Sequence, residues 1–254
     1  MPRGYNSPML PASPDLALAA REYRLLLDWG YPVAASIKLV GDRHRMDRDE
    51  RMVLFRGVAS TADSAARSRA VAAPGGIAEG LVLLIDGYNQ ALTVMHYLAG
   101  RPLFVGTDGL TRDAGGSHGR IADPVLFERA AGLLADRLAA LRPERAAVYL
   151  DAPVPGSAGH AALFRRLLGT RGIEAIVLLE RSADAPLKAA GSDPGALIAS
   201  GDSAVADAVV AARERAGGAG ATLYDSARWA IELAFGPSGI LDLGRLVESP
   251  KDPE

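Results

Sequence analysis

The feature that most constrains this chain is a change of rhythm near residue 80. From there on, short and mostly apolar runs (Leu81 to Ile85, Leu103 to Val105, Ala146 to Leu150, Ala175 to Leu179, Ala196 to Ala199, Thr222 to Tyr224) alternate with stretches of helical spacing. The clearest such stretch starts at Asp123-Pro124, a cap followed by a first-turn proline, and runs through Leu126, Leu133, Leu134 and Leu138 to Leu141. Strands that are apolar on both faces need cover on both, and intervening helices supply the crossovers of a parallel sheet. The pattern predicts a three-layer α/β/α domain with a mainly parallel sheet.

The first 75 residues read instead as a small all-α domain. Ser13-Pro14-Asp15 opens a helix whose Leu16, Ala19, Ala20, Tyr23, Leu26 and Leu27 keep helical spacing up to Gly30. A second helix is expected from Pro32 to Gly41. Asp47 and Glu50 form the pattern of a capping box that opens a third, ending at Gly57. A fourth is capped by Ser60 or Thr61, and Pro74-Gly75-Gly76 marks the expected boundary. The expected domains are residues 1–75 and 76–246, with a disordered tail at 247–254 and a surface loop at 182–195.

With 254 residues, 49% of them hydrophobic, the chain can bury a large core, and a net charge of -2 is ordinary for a globular protein. Residues 1–75 carry 11 Lys+Arg against 8 Asp+Glu, and the remainder 17 against 22. A solvated surface accounts for this asymmetry as simply as a partner does. The absence of cysteine excludes disulfides, thiolate metal sites and cysteine nucleophiles. The N-terminus lacks a signal-peptide core, and no run approaches the about 18 apolar residues of a membrane helix. A cytoplasmic location without membrane partners is therefore expected, with a homo-oligomer left open.

Ligands of an open parallel sheet bind beyond the carboxyl ends of its strands. In this chain the residue at or near that position is repeatedly aspartate: Asp86 after Ile85, Asp108 soon after Val105, Asp151 after Leu150, Asp202 after Ser200-Gly201, and Asp225 after Tyr224. Each one taken singly is most simply a helix cap. As a set they would converge on one edge and repel one another unless a cation lay between them. Oxygen ligands of this kind suit Mg²⁺ or Mn²⁺ rather than zinc. A cation so held can activate water for attack on a phosphodiester without histidine or cysteine.

Asp86-Gly87-Tyr88-Asn89 behind a hydrophobic strand, with Thr93 a turn later, resembles the first motif of the PIN-like nucleases, in particular the NYN branch. IASGDSAVADAVV at 198–210 resembles the late motif of that branch, a strand running into S-G-D-S and a helix. The resemblance covers residues 80 to about 235. It implies a parallel sheet, a divalent metal and hydrolysis of RNA, or of single-stranded DNA. By motif position Asp86, Asp151 and Asp202 would be metal-binding carboxylates, assisted by Asn89 and Ser203. Two departures stand out. Ala204 replaces the second acid of the late motif, with Asp207 one turn further as its substitute, and the segment 105–120 is longer than the motif expects. That segment carries Asp108 as a further candidate ligand, and its glycine-rich composition fits equally a lid, with Arg112, His118 and Arg120 as candidate phosphate contacts, or a disordered surface loop. The N-terminal stretch at 29–57 resembles a small helical domain of an uncharacterised family that precedes a PIN-like domain. Its arginines are interspersed with acids and read as self-paired.

Two other functions compete on the same residues: a PIN-like nucleic-acid-binding or regulatory module without catalysis, favoured by Ala204, and a small-molecule phosphoesterase. A phosphatase that uses Asp86 as nucleophile would need a second acid where Tyr88 stands. No phosphate-binding G-x-x-x-x-G-K-[ST] loop is present, and PGSAG at 155–159 is not a nucleophile elbow. Ser157 reads as a helix cap, His96 as helix packing, and Trp29 and Trp229 as core.

Overall fold

A computed structural model describes residues 14–73, 75–77, 80–114, 121–237 and 239–248. Four helices come first: α1 (Pro14–Asp28), α2 (Val33–Arg43), α3 (Arg48–Gly57) and α4 (Thr61–Ala70). Then follow β1 (Val82–Asp86), α5 (Gly87–Leu98), β2 (Leu103–Val105), β3 (Thr111–Asp113), α6 (Pro124–Ala140), β4 (Arg145–Asp151), α7 (Ser157–Gly169) and β5 (Ala175–Glu180). The last third holds α8 (Asp184–Ala189), a 3-10 turn (Ala190–Ser192), β6 (Ala196–Ala199), α9 (Ser203–Arg215), β7 (Thr222–Tyr224), α10 (Ser226–Phe235), β8 (Leu241–Asp242) and α11 (Leu243–Glu248).

These elements group into two compact units. The sheet unit is built on five parallel strands in the order β5-β4-β1-β6-β7. Most apolar residues of β1, β4, β6 and β7 disappear from solvent as the sequence pattern requires, and Ile85, Val148, Leu150, Ile198 and Leu223 are fully buried; the edge strand β5 departs from it, burying Val177 but leaving Ile176, Leu178 and Leu179 exposed. Helices α5, α6, α7 and α10 pack together, and α8 and α9 form a second group, giving the expected layers around a parallel sheet. Strand order reverses between β1 and β6: the chain steps outward from β1 through β4 to β5, then returns to lay β6 on the other side of β1. In doubly wound sheets the crevice at such a reversal is where ligands bind.

Helices α1 to α4 belong to the other unit, where the Asp47–Glu50 capping box forms with both reciprocal hydrogen bonds. This unit is not purely helical. It also contains β2, β3, β8 and α11, and Phe104, Leu243 and Val247 complete the core made by Leu16, Tyr23, Val53 and Leu54. The grouping thus differs from the expected break at residue 75. Leu103 to Val105 forms a strand, but not in the parallel sheet. The Gly106-to-Gly109 turn, with Gly109 at φ 84, folds it back onto β3 as a hairpin, and β8 adds alongside in parallel. Three further expectations fail. Residues 182–195 contain α8 and the 3-10 turn rather than only a loop, and α11 continues to Glu248. Trp29 is 65% exposed, because it follows the last turn of α1 instead of facing the core.

Candidate functional site at the strand-order reversal

Asp86 is the last residue of β1 and the cap of α5: its Oδ1 accepts the Asn89 N–H at 3.2 Å. The cap and the catalytic reading are therefore not alternatives here, since the capping carboxylate also stands at the reversal point. Across it, the Ser200 hydroxyl behind β6 donates to Asp86 Oδ2 at 3.1 Å. The Asn89 side-chain oxygen accepts the Gly201 N–H at 2.8 Å and the Gln90 amide at 2.8 Å. Gln90 in turn accepts from Ser226 and the Ala227 N–H at the start of α10. One amide pair thus ties the first turn of α5 to the loops behind β6 and β7. Gly87 permits the approach: a Cβ there would lie 2.5 Å from Leu150 Cδ2 and 2.8 Å from Val148 Cγ1 of β4.

Asp86 is 5% exposed, and among the described residues no lysine or arginine pairs with it. Burial pushes its carboxyl up to about 7; the Asn89 and Ser200 hydrogen bonds oppose the shift, and the charges of Asp184 and Asp151 add to it. The structure therefore brings Asp151 and Asp184 within electrostatic reach of Asp86. Asp151 behaves unlike the capping aspartates, since it leaves the start of α7 to Gly156 and accepts the Ala183 N–H behind β5 at 2.9 Å. Asp184 opens α8, and its Oδ2 holds Lys188 Nζ at 2.9 Å. That hydrogen bond raises the Lys188 pKa, as do the charges of Asp184 and Asp202. Asp202 caps α9 through the Ala204 and Val205 N–H groups.

Sequence reasoning missed Asp184, Lys188 and Ser200. The first two were legible: an acid and a lysine four residues apart, with Pro186 in the first turn, are a helix-start pattern. Ser203 and Asp207 lie exposed on α9. Asp225 caps α10. Asp108 does not join this group. It lies in the helical unit, where Oδ1 accepts Arg112 Nη1 at 2.8 Å and Oδ2 accepts Arg112 Nη2 at 2.7 Å, with Arg67 at 3.3 Å. Burial raises its pKa, but the Arg112 charge and hydrogen bonds, then Arg67, outweigh it and hold the carboxyl below its ordinary value. A carboxylate so occupied has no oxygen to offer a cation. Arg112 is itself buried in this pair and cannot serve as a phosphate contact. His118 and Arg120 lie outside the described residues. Of the basic residues in α2 and α3, Arg43 pairs with Glu22 of α1, Arg51 with Asp42 of α2 and Arg56 with Asp113 of β3.

Among the described residues no group of three or more His, Asp or Glu side chains could enclose a metal ion. The donor set fits a different arrangement, a cation held by one or two carboxylates with water completing its shell, which is the habit of Mg²⁺. The observation that favours this fit is Asp86 itself: a buried acid with no cationic partner among the described residues, whose pKa burial raises and the charges of Asp184 and Asp151 raise further, is a group a cation would relieve.

The fold and this edge define a class, a doubly wound α/β domain with aspartates at its strand-order reversal, carried with a second, mainly helical unit. Residues 77–214 match the model described as "Domain of unknown function (DUF5616)", and the chain belongs to that family. Residues 15–69 match a second model, described as "Protein of unknown function (DUF434)". No curated protein and no solved structure matches the chain. The first match contains Asp86, Asp151, Asp184, Lys188, Ser200 and Asp202, the whole edge group. No helix among the described residues is long and apolar enough to cross a membrane.

Proposed function

We propose that the acidic edge binds Mg²⁺ or Mn²⁺ and hydrolyses phosphodiester bonds, with RNA as the substrate class. The observation that carries the reading is the buried Asp86 at the strand-order reversal, unpaired by any cationic side chain among the described residues and subject to the charges of Asp184 and Asp151. The PIN-like motif resemblance at 86–89 and 198–210 supports it. Asp86 and Asp151 would hold the ion, which when bound supplies Lewis acidity and an acidified water. Ser200 and the Asn89 N–H orient the Asp86 oxygens. Asn89 fixes the Gly201 backbone and with it the entry to α9. Lys188, hydrogen-bonded to Asp184 and subject to the charge of Asp202, would offer an ammonium to a phosphate oxygen at the same edge.

Purified protein with Mn²⁺ is expected to cleave labelled single-stranded RNA, and to lose the activity with chelator or as Asp86→Asn. No cleavage of RNA or single-stranded DNA, or equal cleavage by the variant, would remove the proposal. Hydrolysis of an aryl phosphate without action on oligonucleotides would redirect it to small phosphoesters. Ala204, where the motif expects an acid, favours a second reading, a nucleic-acid-binding module without catalysis. Calorimetry separates the two, because that module predicts no saturable Mn²⁺ site.

A further inference from the structure

The carboxylate chemistry leaves one polar contact beside it without a task. Tyr88, Phe127 and His160 stand in the first turns of α5, α6 and α7, at the end of the sheet unit where Asp86 and Asp151 emerge. Their rings pack together: His160 is 4.9 Å from Phe127 between centroids, and 5.8 Å from Tyr88 in an edge-on contact at 88°. The Tyr88 hydroxyl lies 2.9 Å from His160 Nδ1. Tyr88 is 4% exposed. A phenol keeps its hydrogen at neutral pH, and a buried O–H needs an acceptor. Among the described residues that acceptor is His160 Nδ1.

The tautomer follows. With Nδ1 accepting, a neutral imidazole carries its proton on Nε2. Burial holds the His160 pKa below its ordinary value, which keeps the ring neutral. Nε2 has no partner among the described residues. It lies against the turn that leads from Asp151 into α7, where a Cβ on Gly156 (φ 83) would come within 3.6 Å of it. His160 is half-buried, so this N–H remains reachable.

We propose that His160, fixed by Tyr88, is a substrate-contact residue whose Nε2–H donates to a non-bridging phosphate oxygen of a nucleic-acid strand lying over the acidic edge. This rests on the phosphodiester reading above. A neutral donor suits the position. It cannot ligate a metal through Nδ1, which Tyr88 occupies, and it recognises an anionic oxygen without setting a positive charge against the carboxylates that must hold the cation. Tyr88 acts through His160 and is a positioning residue.

The test measures binding of a short fluorescein-labelled oligouridylate by anisotropy in Ca²⁺, and turnover of the same strand in Mn²⁺, with urea unfolding of each protein alongside. His160→Ala is expected to weaken binding about tenfold, the worth of one hydrogen bond to a charged group. His160→Gln, which restores an N–H near the Nε2 position, is expected to recover most of it, and Tyr88→Phe to show a smaller loss. If His160→Ala lowers only the unfolding midpoint, with affinity and turnover per folded molecule unchanged, the pair is structural and the inference falls while hydrolysis stands. If the wild-type protein binds but does not cleave, and His160→Ala binds weakly, hydrolysis falls and the contact stands. If His160→Ala does not fold, equal affinity of wild type, His160→Gln and Tyr88→Phe overturns the inference, whereas a Tyr88→Phe loss supports it. A wild-type protein that neither binds nor cleaves overturns both.

Discussion

Asp86 and Asp108 make an instructive pair. Both lie at or just beyond short, fully apolar strands, both are almost completely buried, and from sequence both were candidate ligands. Asp108 is gripped by Arg112 and Arg67 and titrates low. Asp86 has a hydroxyl, a backbone N–H and two neighbouring acids, and titrates high. The partner, not the burial, decides the role. A carboxylate buried with a guanidinium is part of a closed ion pair. One buried near other carboxylates, with no cationic partner among the described residues, carries its charge at a cost that a cation would relieve.

Three measurements would break or sharpen that contrast. The largest effect is expected on catalysis: under the proposed function, Asp86→Asn should lower Mn²⁺-dependent RNA cleavage at least about a thousandfold, since several kcal/mol of transition-state stabilisation would pass through the ion that Asp86 would hold. Its far-ultraviolet circular dichroism should stay that of the wild type, because an amide can still accept the Asn89 N–H. Next, Asp108→Asn should cost about 3 kcal/mol in urea unfolding, as it leaves Arg112 buried without a counter-charge. An unfolding midpoint equal to that of the wild type would show that the pair contributes nothing to the helical unit.

The smallest effect concerns pH, and there the two aspartates pull in opposite directions. The folded pKa of Asp86 lies above its unfolded value of 3.8, so metal-free protein should lose stability as pH rises from about 4 to about 7. Asp86→Asn, which does not ionise, should escape that loss and exceed the wild type in stability at pH 8, with the gap closing near pH 4. The folded pKa of Asp108 lies below its ordinary value, so its contribution is present above about pH 4 and lost as pH falls through that lower value. The Asp108→Asn deficit should therefore narrow in acid. Two parallel profiles would refute the assignment of either group.

The sequence carried much of the framework because local signals there are strong. The capping box at Asp47–Glu50, the Asp123-Pro124 start and the apolar runs of β1, β4, β5, β6 and β7 all appear where their chemistry places them. Asp86, Asn89, Asp151 and Asp202 could be selected because strand ends are readable from composition. What was not readable was partnership across the chain. Nothing in Leu103 to Val105 tells which sheet receives it, since a three-residue apolar strand satisfies either, and the glycine turn behind it is the cue that mattered. Ser200 reaches Asp86 over 114 positions, and His160 reaches Tyr88 over 72; such pairs are products of strand order, not of spacing. Asp108 was misassigned for the same reason, because Arg112 was read as a ligand contact rather than as its partner.

The central claim is that the carboxylates at the reversal of strand order hold a divalent cation. Diffraction from crystals soaked in Mn²⁺, recorded at the manganese edge, tests it directly. An anomalous peak at coordination distance from Asp86 and Asp151 is predicted, vanishing in crystals of Asp86→Asn. No peak at saturating Mn²⁺, or a peak held by other residues and indifferent to that substitution, would contradict it.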